Sequence, residues 1–181
     1  MVKPPRDRRP AFVPALSDIA ATVPNNAALN VAADADATFA FRATQRNIAD
    51  VDGEFFTLAA RNAGTLGNNG NGLNLVDGLI AAFSVNFAGS ILGDGADQAS
   101  VTGAHWAAGT HLWVLDINRT TDVATLYVDG VSHDTANIAA VGAINPAADL
   151  ILAAAAHHAV VKLDRVLTPA ERTHLPTALG A

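Results

Sequence analysis

No cysteine occurs in the 181-residue chain, so disulfides, thiolate metal sites and thiol catalysis are excluded. Glutamate is almost as scarce: Glu54 and Glu171 are the only two, and they stand far apart in the sequence. Glycan hydrolysis needs two carboxyl groups about 5–10 Å apart, and no stretch carries acids at i, i+2 and i+4 of a strand. Asp34 and Asp36 alternate, but they sit beside a loop-like stretch, where aspartates organise turns. None of Ser17, Ser84, Ser90, Ser100 and Ser132 stands in a nucleophile-elbow setting. The chain thus reads as a non-enzyme. Long apolar runs are missing too. Nothing approaches about 18 uninterrupted apolar residues, the length a membrane-spanning helix needs. Basic charge is in deficit, with 11 Lys and Arg against 17 Asp and Glu. A net charge of −6 lacks the basic face that nucleic acid requires.

What is present is the material of a β-protein. Half of the residues are hydrophobic and only 15% are charged, a globular composition rather than a disordered one. Phe83-Ser84-Val85-Asn86-Phe87 alternates cleanly, Thr38-Phe39-Ala40-Phe41-Arg42 similarly, and Glu54-Phe55-Phe56-Thr57-Leu58 less purely. His111 to Ile117 and Val123 to Val128 predict two more strands. Asp129-Gly130 follows at once as a hairpin turn, with a new strand from Val131. Asp149 to Ala154 and Ala159 to Leu163 complete the set. Gly64 to Gly72 reads as an exposed loop, being glycine-rich and polar. Helix signals are confined to Thr168-Pro169-Ala170-Glu171: an N-cap, a proline at the first helical position and a glutamate three residues after the cap. They predict a helix of about two turns stopped by Pro176. Many short strands with one terminal helix predict an antiparallel two-sheet β-sandwich over residues 15–181.

The first fourteen residues differ from the rest. Lys3, Arg6, Arg8 and Arg9 against Asp7 give the first ten a charge of +3, which leaves −9 on the other 171. Pro4, Pro5, Pro10 and Pro14 favour an extended arm over helix or inner strand. The same prolines interrupt any apolar stretch of the secretory type, so the expectation is a soluble protein made in the cytoplasm. The arm reads either as a solvated terminus or as a device that lies on an acidic neighbour.

In their order, the pieces resemble the laminin-G-like, concanavalin-like jelly-roll family over roughly residues 15 to 175. Val23 to Asn30 followed by Ala37 to Phe41 resembles its opening strand, turn and second strand. Thr110-His111-Leu112-Trp113-Val114, then Ala124 to Gly130, resembles its central hairpin. Gly142-Ala143-Ile144-Asn145-Pro146 resembles the loop before its penultimate strand, and Arg165 to Glu171 its closing element. The resemblance implies the jelly roll. It also implies an acidic pair before the closing element, able to help bind calcium. Here that pair falls on His158 and Ala159, which cannot supply carboxylate oxygens to a hard cation, so no cofactor is expected. Small, alanine-rich modules of this kind resemble pieces of tailed-phage virions. This implies a capsid decoration or tail accessory protein located in the virion, with capsid or tail subunits as partners.

The competing reading is a carbohydrate-binding module for host surface glycans. Loops at one rim would then supply Asn69, Asn71, Asp94, Asp97, His105 and Trp106, since loops at sandwich ends are natural binding places. Adjacent in a strand, His157 and His158 point to opposite faces and cannot chelate one ion. Trp113 reads as core and Tyr127 as facing either side. Asn118-Arg119-Thr120 matches a glycosylation sequon. Exposed edge strands would permit a homo-oligomer.

Overall fold

Period-two alternation gives a half-buried strand one apolar face, and two sheets closing such faces on each other make a sandwich. The computed structural model describes residues 21–45, 53–60, 71–80, 85–94, 96–103, 109–152 and 156–180. The arm (1–14), most of the glycine-rich stretch (64–70), Phe83-Ser84, His105 and Trp106 lie outside the described residues. The elements are β1 (Ala21–Val23), β2 (Ala37–Gln45), β3 (Gly53–Ala60), β4 (Asn71–Ile80), β5 (Val85–Asp94) and β6 (Gln98–Gly103). They continue with β7 (Gly109–Asn118), β8 (Val123–Val128), β9 (Val131–Asn137), β10 (Leu150–Leu152), β11 (Ala156–Leu163) and helix α1 (Pro169–Ala178). A six-stranded sheet runs β1-β10-β3-β4-β5-β6 and a five-stranded sheet β11-β2-β7-β8-β9, all pairings antiparallel. The expected antiparallel β-sandwich is the fold.

Register aligns the core. In the larger sheet Val23, Leu150, Leu58, Leu73, Leu92 and Ala99 stand opposite one another in turn, a single row across six strands. In the smaller sheet the matching row is Val160, Phe41, Trp113, Val128 and Val131. Leu58, Leu73, Leu92, Phe41, Leu115 and Leu126 are completely buried in one common core. Phe41 and Trp113 stack with centroids 6.0 Å apart and planes 3° from parallel, which places Trp113 in the core as expected. Asp129 and Gly130 adopt φ of +50° and +80°, the left-handed pair that a two-residue hairpin needs.

Four local features depart from the sequence reading. The imperfect alternation of Glu54 to Leu58 is a register shift between Glu54 and Phe56, an extra residue bulged out of the ladder. Asn71 and Gly72 are not loop but the start of β4, and Gly72 is buried with φ +137°. Glycine permits that backbone, so a turn-forming residue type here serves a strand. β11 begins at Ala156, three residues before the predicted start, with a register shift between His157 and Ala159. Pro176 does not stop α1, which continues to Ala178. Leu175 and Leu179, on either side of it, pack against a second apolar cluster. That contact, and the Leu179 N–H donating to Leu175 O at 2.9 Å, outweigh the one backbone donor that proline lacks.

Helix α1 lies on the outer face of the five-stranded sheet. Ala40, Leu112, Val114 and Leu167 are buried beneath it, with Tyr127 and Leu163 beside them. β2 and β7 are therefore apolar on both faces along part of their length, as strands covered from both sides must be.

Candidate functional site

Three clusters of polar side chains meet in the described structure. The first ties the rim of the larger sheet to the loop before β10. Asn71 Nδ2 donates to Asp94 O (2.9 Å) and Asn145 Oδ1 (3.0 Å), and Asn71 Oδ1 accepts from Asn145 N at 2.8 Å. Asp94 Oδ1 accepts from the backbone N–H groups of Ala96 (2.7 Å) and Asp97 (2.8 Å). Its Oδ2 accepts from Gly142 N at 2.6 Å. Burial pushes the Asp94 carboxyl upward, but these backbone donors outweigh it and hold the group below its ordinary range. Arg119 closes the same loop from behind, donating to the carbonyls of Ile138, Val141 and Gly142.

The sequence placed Asn69, Asn71, Asp94, Asp97, His105 and Trp106 together at a rim. The structure brings Asn71, Asp94 and Asp97 to one corner, with Asp97 exposed. It commits the polar atoms of Asn71 and Asp94 to internal bonds, which makes them braces of the loop. Asn69, His105, Trp106 and the arm cations Lys3, Arg6, Arg8 and Arg9 lie outside the described residues.

The second cluster fastens α1. Asp116, only 3% exposed on β7, accepts from Thr38 Oγ1 (2.5 Å) and from Arg172 Nη1 (2.6 Å). Arg172 also donates to Leu167 O at 2.6 Å, and its guanidinium lies 4.4 Å from the centre of the Tyr127 ring. Burial raises the Asp116 carboxyl more than Thr38 and Arg172 lower it. At the helix start the expected capping box is complete. Thr168 Oγ1 accepts from Glu171 N, and Glu171 Oε2 accepts from Thr168 N at 2.9 Å. Arg165 grips the same carboxylate through two nitrogens, at 2.6 and 2.8 Å. Glu171 is thus a structural anion, and the backbone of Glu54 lies on β3 of the other sheet.

The third cluster was not read from the sequence. On the outer face of the five-stranded sheet, Thr44 Oγ1 lies 2.6 Å from Thr110 Oγ1 and 2.6 Å from His158 Nε2. Thr44 and Thr110 are register partners on β2 and β7. The signal available was alternation, which puts Arg42 and Thr44 on one face opposite to Phe41 and Ala43; it became useful only with the register. His157 is buried and meets the Phe41 ring at 5.8 Å, while His158 is exposed. The two imidazoles do point apart. Among the described residues no three His, Cys, Asp or Glu side chains group so as to hold a metal ion.

No family model and no curated protein matches this chain. Its fold is similar to several solved binding domains. That of Paraclostridial Mosquitocidal Protein 1 superposes with a TM-score of 0.58 at 14% identity, over 85% of this chain and 39% of that one. The binding domain of botulinum neurotoxin DC, solved in complex with rat synaptotagmin II, gives 0.52 at 9% identity, over 81% and 36%. The binding domain of botulinum neurotoxin serotype G gives 0.51 at 11% identity, over 82% and 37%. This chain spans less than two fifths of the length of each. At such identities the likeness establishes the β-sandwich and not an activity.

Proposed function

We propose that the chain is a non-enzymatic attachment module, an accessory protein of a virus particle that docks on capsid or tail subunits. The observation that carries this reading is the segregation of charge: a +3 proline-rich start on a body of −9. A basic extended arm gains contact area against an acidic subunit at an entropic cost, and it steers that encounter electrostatically. The structure supports a scaffold role for the body. Asp94, Asp116 and Glu171 each hold backbone or cationic partners that fix loops and the helix. Acids so engaged do not act as general acid or base. The solved neighbours are binding domains, one of them seated on a protein partner, which fits recognition through the surface. A virion placement rests on the laminin-G-like resemblance and the alanine-rich composition.

The test is assembly. Particles made without the protein are expected to lose surface mass and resistance to heat or low salt. Particles identical in both respects would overturn the proposal. Glycan binding through Asn71 and Asp94 is the weaker alternative, because binding there would compete with the bonds that brace the loop.

A further inference from the structure

Four of the five described cations have partners. Arg119 holds three carbonyls, Lys162 pairs with Asp164, Arg165 with Glu171 and Arg172 with Asp116. Arg42 is the described cation given neither a hydrogen bond nor an ion pair, although it is half-buried and acids outnumber bases in the chain. It stands on the outer face of β2, two residues and so about 7 Å from Thr44. Through Thr44 it neighbours Thr110 and His158, whose imidazole is lowered by burial and then by the Arg42 charge. A guanidinium that acts on an imidazole across one threonine, with no described carboxylate paired to either, is an arrangement that a bound anion would complete. The hydroxyls supply the remainder. Thr44 has one proton, so it donates to one neighbour and accepts from the other, leaving a donor free at one end of the relay.

From this geometry we propose an acidic-saccharide site on the outer face of the five-stranded sheet, formed by Arg42, Thr44, Thr110 and His158. The sugar's carboxylate or sulfate lies between the guanidinium and the imidazole, and its hydroxyls meet the threonines. A saccharide fits better than an acidic peptide. Arg42, Thr44 and Thr110 stand on β2 and β7, interior strands with both backbone edges paired, and His158 alone on the edge strand β11, whereas an extended peptide joins a sheet by pairing with a free edge. The patch does not use the arm, so docking through the arm and saccharide binding here can each fail without the other.

The experiment titrates the full, isotope-labelled chain with a sulfated oligosaccharide, a uronate oligosaccharide, a neutral oligosaccharide of equal length and a poly-glutamate peptide. Expected are shifts of the His158 imidazole and of Thr44 and Thr110 with either acidic sugar. The tighter of the two identifies the acid. R42Q should weaken that binding by roughly ten-fold or more, the scale of a lost charge-assisted hydrogen bond, while R42K retains part of it. H158Q, at an exposed position, should weaken it several-fold and serves alone if R42Q fails to fold. The proposal is overturned if neither acidic sugar moves these resonances, if the neutral sugar or the peptide binds as tightly, or if neither variant changes the affinity.

Discussion

The two faces of the five-stranded sheet are built on different physics. On the inner face, Phe39, Phe41, Trp113, Leu115 and Leu126 enter a core shared with the leucine row of the other sheet, and burial alone fixes the packing. On the outer face, the apolar cluster under α1 has only four fully buried members. Tyr127, Leu163, Leu175 and Leu179 pack against it only partly buried, and a ten-residue helix is short for independent stability. Three polar devices complete it: the Asp116–Arg172 pair, the Arg165–Glu171 fork and the Thr168 cap. The inner face is almost wholly apolar, with His157 against Phe41 as its buried polar side chain among the described residues; the outer one depends on polar pairs.

Breaking each side should separate the two. Phe41→Ala should cost about 3–5 kcal/mol, the range for truncating a buried aromatic. Chemical denaturation should show both sheets lost in one transition. Arg172→Ala leaves Asp116 buried without its cation and should cost about 3 kcal/mol. Hydrogen exchange should then quicken in α1 and the outer halves of β2 and β7 before the leucine row. If α1 stays as protected as in the parent, the latch is not what holds it.

A third test probes the rim. A Cβ on Gly142 would stand 2.8 Å from Asp94 Oδ2, so Gly142→Ala should cost about 1–3 kcal/mol through that clash. In an Asp94→Ala background the cost should largely vanish, because the colliding atom is gone.

The smallest effect is expected at Glu171. Its carboxyl is held at about 2, well below the ordinary 4.5, first by the Arg165 hydrogen bond and then by the Thr168 backbone and side chain. A depressed carboxyl contributes stability above its unfolded value and loses it as pH falls through the folded one. Glu171→Gln should therefore be slightly less stable than the parent at neutral pH. The gap in melting temperature should close between about pH 4.5 and 2. A gap independent of pH would mean that the fork contributes nothing.

The layers were more legible in the sequence than the joints. Alternation located β2, β7 and β8, because each keeps at least one regular apolar face, and the Asp129-Gly130 turn located the start of β9. β4 and β6 went unread: Asn71, Gly72, Asp77 and Gly78 in one, and Gln98, Ser100 and Gly103 in the other, are turn-forming or polar types. Tertiary pairing, not propensity, makes them strands. The capping box was legible because its parts lie within four residues. The end of α1 was not, since Leu175 and Leu179 reach a cluster formed by distant strands. Sites fared similarly. The opposed rings of His157 and His158 follow from pleat geometry, whereas the brace between Asp94 and Gly142 and the meeting of Thr44, Thr110 and His158 depend on a register that no local pattern encodes.

The central claim is docking led by a basic arm on an acidic body. It is tested most directly by co-sedimentation of the purified protein with particles lacking it, full chain against a chain begun at residue 15, across salt concentrations. The account predicts that the full chain sediments with the particles and is released as salt rises, and that the shortened chain stays in the supernatant. Equal association of both chains, or association indifferent to salt, would contradict it.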